Sequence, residues 1–153
     1  MIESLEGTVG IYLATLVVAA LSGLIPLINA EIYLIGVALY TRSIPLAIAL
    51  GIIVAIGQMV AKIAIYQAAL KATNLRPGGR FATKIEKARA LIDRWRDKPL
   101  TLIFVSASVG LPPFFLVSIL AGMLKLKFRK FVLLGLLGRS LRFVTIALLA
   151  LLT

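Results

Sequence analysis

Cysteine and histidine are absent from this chain of 153 residues, and only six residues are acidic. Without thiols or imidazoles there can be no disulfide, no Cys or His metal site, and no serine or cysteine triad with imidazole as its base. The acids are Glu3, Glu6, Glu31, Glu86, Asp93 and Asp97, so no aspartate lies inside an apolar run and an intramembrane aspartyl pair is excluded. A serine paired with Lys62 has no motif behind it. No metal, no cofactor and no enzymatic activity are expected, and the composition suits transport or scaffolding better than catalysis.

What the chain has in abundance is apolar sequence. It is 61% hydrophobic with a mean hydropathy of +1.05, against roughly 45 to 50% apolar residues in soluble proteins, so an all-α integral membrane protein is expected. The net charge of +11 is carried by 17 basic residues. Nine of them lie from Lys71 to Lys98, and four more are Lys125, Lys127, Arg129 and Lys130. Two short basic stretches flanking apolar segments follow the positive-inside rule, which places both in the cytoplasm. Groove-reading modules need a soluble basic face instead, so no nucleic acid is expected as a partner. No basic residue precedes Arg42, so no signal peptide is expected, and the location implied is multi-pass, in the cell (inner or plasma) membrane.

Uncharged runs cover Gly7 to Ala30, Ile32 to Thr41, Ser43 to Ala61 and Pro99 to Leu124, with a further run from Phe131 to Thr153 broken by Arg139 and Arg142. A full span takes about 20 residues. The Ser22 to Pro26 stretch breaks the first run, and few residues then separate Glu31 from Arg42, so a helix followed by a re-entrant hairpin is predicted there. Pro99 to Leu124, with its own break from Ser108 to Pro113, begins and ends at a basic stretch and therefore returns to the side it came from. Backbone of this kind survives at membrane depth only against protein or a watery cavity, so a cavity is expected. Ile44 to Ala72, with Pro45 in its first turn, is predicted as a transmembrane helix, and Phe131 to Thr153 as a second.

Arg76 to Arg80 reads as a turn. Ala82 to Asp97 reads as an amphipathic helix in the cytoplasmic headgroup layer, its apolar stripe formed by Phe81, Ile85, Ala88, Ile92 and Trp95. A shift of 87 residues superposes Gly23 on Gly110, Pro26 on Pro113, Arg42 on Arg129 and Gly51 on Gly138. An inverted repeat with two re-entrant helical hairpins follows as the expected architecture. It divides one membrane domain (1–153) into a first half (1–73), a basic linker with the amphipathic helix (74–98) and a second half (99–153).

Four charges fall within apolar sequence: Glu31, Lys62, Arg139 and Arg142. At the bilayer centre each costs about 2.5 to 3.5 kcal/mol on insertion scales, so they are expected to face one another or water. Arg139 and Arg142, spaced i, i+3, share a helix face. Glu31 is the acid available to them, which leaves a surplus of positive charge that a phosphate or carboxylate would neutralise. Arg139 snorkelling to headgroups is the competing reading, and Lys62 is expected to reach for the cytoplasmic interface. Glu31 is either a counter-ion or a proton carrier. Ser106, Ser108, Ser118, Ser140, Asn29 and Gln58 are polar groups able to line a path or to bond between helices. Gly135 and Gly138 are expected at close-packing positions.

The second half, with Ser106 to Pro113, Ala121-Gly122, Phe131 and Gly138-Arg139-Ser140-Leu141-Arg142-Phe143, resembles the DedA family, also called the VTT or SNARE-associated Golgi superfamily, in its short bacterial branch. The likeness extends more loosely to Glu31 after Pro26. It implies a membrane lipid transporter that moves phospholipid or undecaprenyl phosphate between leaflets, with two re-entrant hairpins and proton-linked acids. Membrane lipids are then the partners, with an anionic headgroup as ligand. Glu31, Arg139 and Arg142 would bind substrate, and Gly23, Pro26, Gly110, Pro112 and Pro113 would form the hairpin hinges. Many members carry arginines around the second hairpin's proline, where this chain has Ser106, Val109, Gly110 and Leu111. A proton-coupled carrier of small solutes and a non-transporting membrane scaffold are the alternatives. So few full spans enclose little, which leaves a homodimer open.

Overall fold

A computed structural model describes residues 2–25, 27–72, 78–95 and 97–153. Among these residues there are seven α-helices and no strand: α1 (Ile2–Leu24), α2 (Ala30–Thr41), α3 (Ile44–Ala72), α4 (Arg80–Trp95), α5 (Pro99–Val109), α6 (Phe114–Met123) and α7 (Phe128–Leu152). Three are long and apolar enough to cross a membrane: Glu3–Leu24 within α1, α3 and α7. Each carries an exposed line of large apolar side chains at every fourth position. These are Leu5, Val9, Leu13, Val17 and Leu21 on α1, Ile44, Ile48, Ile52, Ile56 and Val60 on α3, and Leu133, Leu137 and Leu141 on α7. In water such lines would be an aggregation liability; they suit a surface solvated by lipid chains.

The chain forms two compact units, one of Met1–Ala61 with Arg139–Thr153 and one of Lys62–Gly138. In the first, α1 and α2 form a helical hairpin. Thr15 donates to the Ile11 carbonyl (2.7 Å), so its oxygen accepts from the Tyr33 hydroxyl at 3.1 Å, and that bond ties the two helices together. The α2 N-terminus is capped by Asn29, whose side-chain oxygen accepts from the Glu31 and Ile32 amides at 2.9 and 3.3 Å. Arg42 closes its other end in the left-handed region (φ 47°). Gly57 lets α3 meet α1: a Cβ there would stand 2.7 Å from the Ala19 Cβ and 2.8 Å from the Leu16 carbonyl.

In the second unit α5 and α6 form another hairpin. Pro99 occupies the first turn of α5, where its missing N–H costs nothing. Gly110 ends the helix at φ 88°, a conformation glycine adopts without penalty. A cis peptide joins Leu111 to Pro112, and the Pro112 carbonyl accepts from the Ser106 hydroxyl. Helix α6 is buried on nearly every side, from Phe114 and Val117 to Gly122, as an all-round apolar helix must be. Gly122 brings it against the Tyr66 carbonyl and Ala69 of α3, while α4 covers it elsewhere and touches α5. Gly138 closes the α5–α7 contact, where a Cβ would lie 2.7 Å from that of Ala107. Rings of Tyr66, Phe131 and Phe114 stack in series, at 4.9 and 6.0 Å between centroids, and the Tyr66 hydroxyl donates to the Leu126 carbonyl at 2.5 Å.

The predicted transmembrane helix Ile44 to Ala72 is observed with those ends, and α7 starts three residues before the predicted Phe131. The amphipathic helix begins and ends two residues earlier than predicted. Its backbone packs on α6 and α5; the side chains of Phe81, Ile85, Ala88 and Ile92 lie outside the described residues, as do Pro26, Arg76 and Pro77. Gly135 and Gly138 are both buried.

Close approach predicts unequal effects of glycine replacement. Gly122→Leu should cost about 1 to 3 kcal/mol through overpacking, whereas Gly7→Ala, with no atom within 4 Å of the added carbon, should be neutral. Thermal unfolding followed by circular dichroism in detergent micelles separates the two.

Candidate anion-binding cluster

The first unit brings Glu31 and Arg142 together across 111 positions of sequence. Glu31 stands in the first turn of α2, where the helix dipole attracts a negative group. Arg142 projects from α7 and donates to Glu31 Oε1 twice, from Nε at 2.8 Å and from Nη2. The Glu31 side chain is 36% exposed and that of Arg142 23%, so the pair is partly shielded yet open to a ligand. The contact is that of a counter-ion, one of the two roles the sequence left open for Glu31.

Arg139, one turn earlier on α7, takes a different partner. Its Nη1 donates to Gln58 Oε1, and its guanidinium carbon lies 5.8 Å from the Phe143 ring centroid, within cation–π range. Gln58 in turn donates from Nε2 to the Ser22 hydroxyl at 2.9 Å, and Ser22 donates to the Ala19 carbonyl at 2.8 Å. A connected polar cluster therefore joins α1, α3 and α7, with the Glu31–Arg142 pair beside it on α2 and α7. Its formal charge, from two arginines and one glutamate, is one positive. An arrangement of this kind can hold a phosphate or carboxylate through charge-assisted hydrogen bonds. Among the described residues no group of three or more Asp and Glu side chains is placed to hold a metal ion.

The other predicted residues fall elsewhere. Gly23 lies in the last turn of α1, where an added Cβ would stand 2.5 Å from that of Ala61. Gly110, Pro112 and Pro113 form the α5–α6 turn of the second unit. Ser108 and Ser118 donate to carbonyls of their own helices, Phe104 and Phe114, at 2.7 Å each, and Asn29 caps α2. Lys62, read from the sequence as a structural residue able to reach towards the interface, is 6% exposed, with Nζ 5.6 Å from the Phe115 ring centroid, within cation–π range. An open cavity of about 670 Å³ in the first unit is lined by Leu39, Arg42, Ile44, Leu148 and Leu151, among others, and does not include the cluster.

Sequence reading missed the joint role of Ser22 and Gln58. The available signal was two polar side chains set in otherwise apolar runs. A double-mutant cycle tests the ion pair: Glu31→Gln and Arg142→Gln should each destabilise the protein, with a coupling of about 1 to 3 kcal/mol in chemical unfolding, and additive effects would show that the pair contributes nothing. No protein-family model, no curated protein and no solved structure matches this chain.

Proposed function

We propose that the chain is a membrane lipid translocator of the DedA type, in which Arg139 and Arg142 receive the anionic headgroup of a phospholipid or polyprenyl phosphate while the acyl chains stay in lipid. The observation that carries this reading is the Glu31–Arg142 pair with a second arginine one turn away, a net positive cluster in an apolar chain. Structural charge in a membrane protein needs neutralising only once. Here the one carboxylate, Glu31, pairs with Arg142 while Arg139 is held by Gln58, and the ion pair is partly exposed. A headgroup phosphate would replace the Glu31 carboxylate on Arg142, and Glu31 would take up a proton as it is released, which links lipid movement to proton movement.

Short helices support re-entrant hairpins in the same reading. Helices α5 and α6 have 11 and 10 residues, about 16 and 15 Å at the rise of an α-helix, half the hydrocarbon thickness. Both ends of this hairpin adjoin basic sequence, the cytoplasmic signature. Helix α2, with 12 residues, is equally too short to cross alone. An inverted repeat of hairpin and long helix accounts for the order α1, α2, α3 and then α5, α6, α7. The Gly110 to Pro113 turn and the α1–α2 turn would flex to alternate access. The protein would act without a cofactor in the inner or plasma membrane, as a monomer or homodimer.

Leaflet exchange of fluorescent phosphatidylglycerol and fluorescent polyprenyl phosphate in vesicles tests the proposal. The wild-type protein should accelerate exchange of at least one, and Arg142→Ala and Glu31→Gln, confirmed as folded by helicity and elution, should lose it. Normal exchange by Arg142→Ala would remove the assignment. No exchange by folded wild-type protein would favour a small-solute carrier or a scaffold.

A further inference from the structure

Three hydrogen bonds run in series through the first unit, and their direction follows from the donors and acceptors available. The Ser22 hydroxyl has one proton, which goes to the Ala19 carbonyl, so towards α3 its oxygen acts as an acceptor. Gln58 fills that place with Nε2, and its amide is thereby fixed with Oε1 turned to Arg139 Nη1. A reversed amide would set acceptor against acceptor at Ser22 and donor against donor at Arg139. Gln58 is only 9% exposed, so water offers little substitute and the orientation is held from within the protein.

The choice of an amide has an electrostatic consequence. A glutamate at this position would hold the guanidinium equally well, and it would also cancel the single positive charge that Arg139, Arg142 and Glu31 leave between them. A leucine of similar size would leave the charge and lose the orientation. Glutamine alone among the three does both things an anion site requires: it fixes the donor plane of an arginine and leaves its charge uncancelled.

We propose that Gln58, oriented by Ser22, is a positioning residue for anion binding, holding the Arg139 guanidinium by a neutral acceptor so that the cluster keeps its positive charge for the ligand. This rests on the anion-binding role proposed above, which it deepens by separating the group that binds from the groups that aim it.

The test uses the full chain in lipid nanodiscs with ¹⁵N-arginine, the Arg139 signals being assigned by their loss in Arg139→Lys. Dodecyl phosphate is the probe, and mildly alkaline pH keeps an introduced carboxyl ionised. In the wild type the Arg139 Nη signals should be resolved, as hindered rotation requires; in Gln58→Leu and Ser22→Ala they should merge. Gln58→Glu should keep them resolved and yet bind dodecyl phosphate at least about tenfold more weakly, while Ser22→Ala should bind it roughly three- to tenfold more weakly, the loss expected for one buried hydrogen bond. Wild-type binding with unchanged affinity in Gln58→Glu, or with Arg139 signals unchanged in Gln58→Leu, would overturn this inference and leave the anion site standing. Absence of dodecyl phosphate binding by the wild type would overturn the anion site itself, and the inference with it.

Discussion

A charge set among apolar helices has to be neutralised where it stands, and in the first unit that requirement falls on the contact between Glu31 and Arg142. Helix α2 has only 12 residues and would gain little stability alone. It is held at three points: Asn29 satisfies its first amides, Tyr33 bonds Thr15 of α1, and Glu31 meets α7. The third is ionic and joins residues 111 positions apart, so it fixes both the short helix and the register of α7 against it. Removing one partner strands the other in poor solvent, which is why such pairs constrain a fold more than their net stabilising energy suggests.

The remaining polar groups are disposed of by two devices that leave the cluster distinct. Hydroxyls are turned back onto the carbonyl four residues earlier, as at Thr8, Thr15, Ser108, Ser118 and Thr145, which hides a donor within its own helix. Helices then approach closely through glycine and alanine, Gly57 on Ala19 in one unit and Gly138 on Ala107 in the other. In lipid, where no hydrophobic force acts between helices, dense contact of this kind would supply the attraction. Ser22 combines neither device fully, since it bonds its own helix and still accepts from Gln58. That dual use makes it the link between α1 and the arginine on α7.

Much of this was legible in the sequence, for reasons particular to each element. The ends of α3 could be read because Pro45 marks the first turn and Lys71 the last. Helix α7 began earlier than read because Phe128, Arg129 and Lys130 remain exposed in its first turn, where charge is no obstacle to helix. That Glu31 could meet the arginines of α7 followed from its being the acid available within apolar sequence, but its role as counter-ion or proton carrier, and which arginine it would meet, stayed open. The Arg139–Gln58 bond did not follow, because an amide in an apolar helix has many candidate partners and only packing selects among them. The shift of 87 residues set Gly51 against Gly138; by contact Gly138 meets Ala107 of α5, Gly57 meets Ala19 of α1, and Gly51 meets Val144 of α7. Spacing counts residues along the chain, while the approach of helices depends on crossing angles that spacing does not encode.

The two arginines are alike in sequence and unlike in setting, and that difference bears on how an anion would enter. Arg142 is neutralised by a carboxylate, so a ligand reaching it must displace an ion. Arg139 is held by a neutral amide, so a ligand reaching it displaces no ionic contact at Gln58. On the proposed function the headgroup would therefore engage Arg139 before it competes with the Glu31 carboxylate for Arg142. On that order of contacts the displacement at Arg142 would follow engagement at Arg139 and precede any flexing of the turns. A site with two identical ion pairs would resist both ligands equally; one pair and one amide give the exchange a direction.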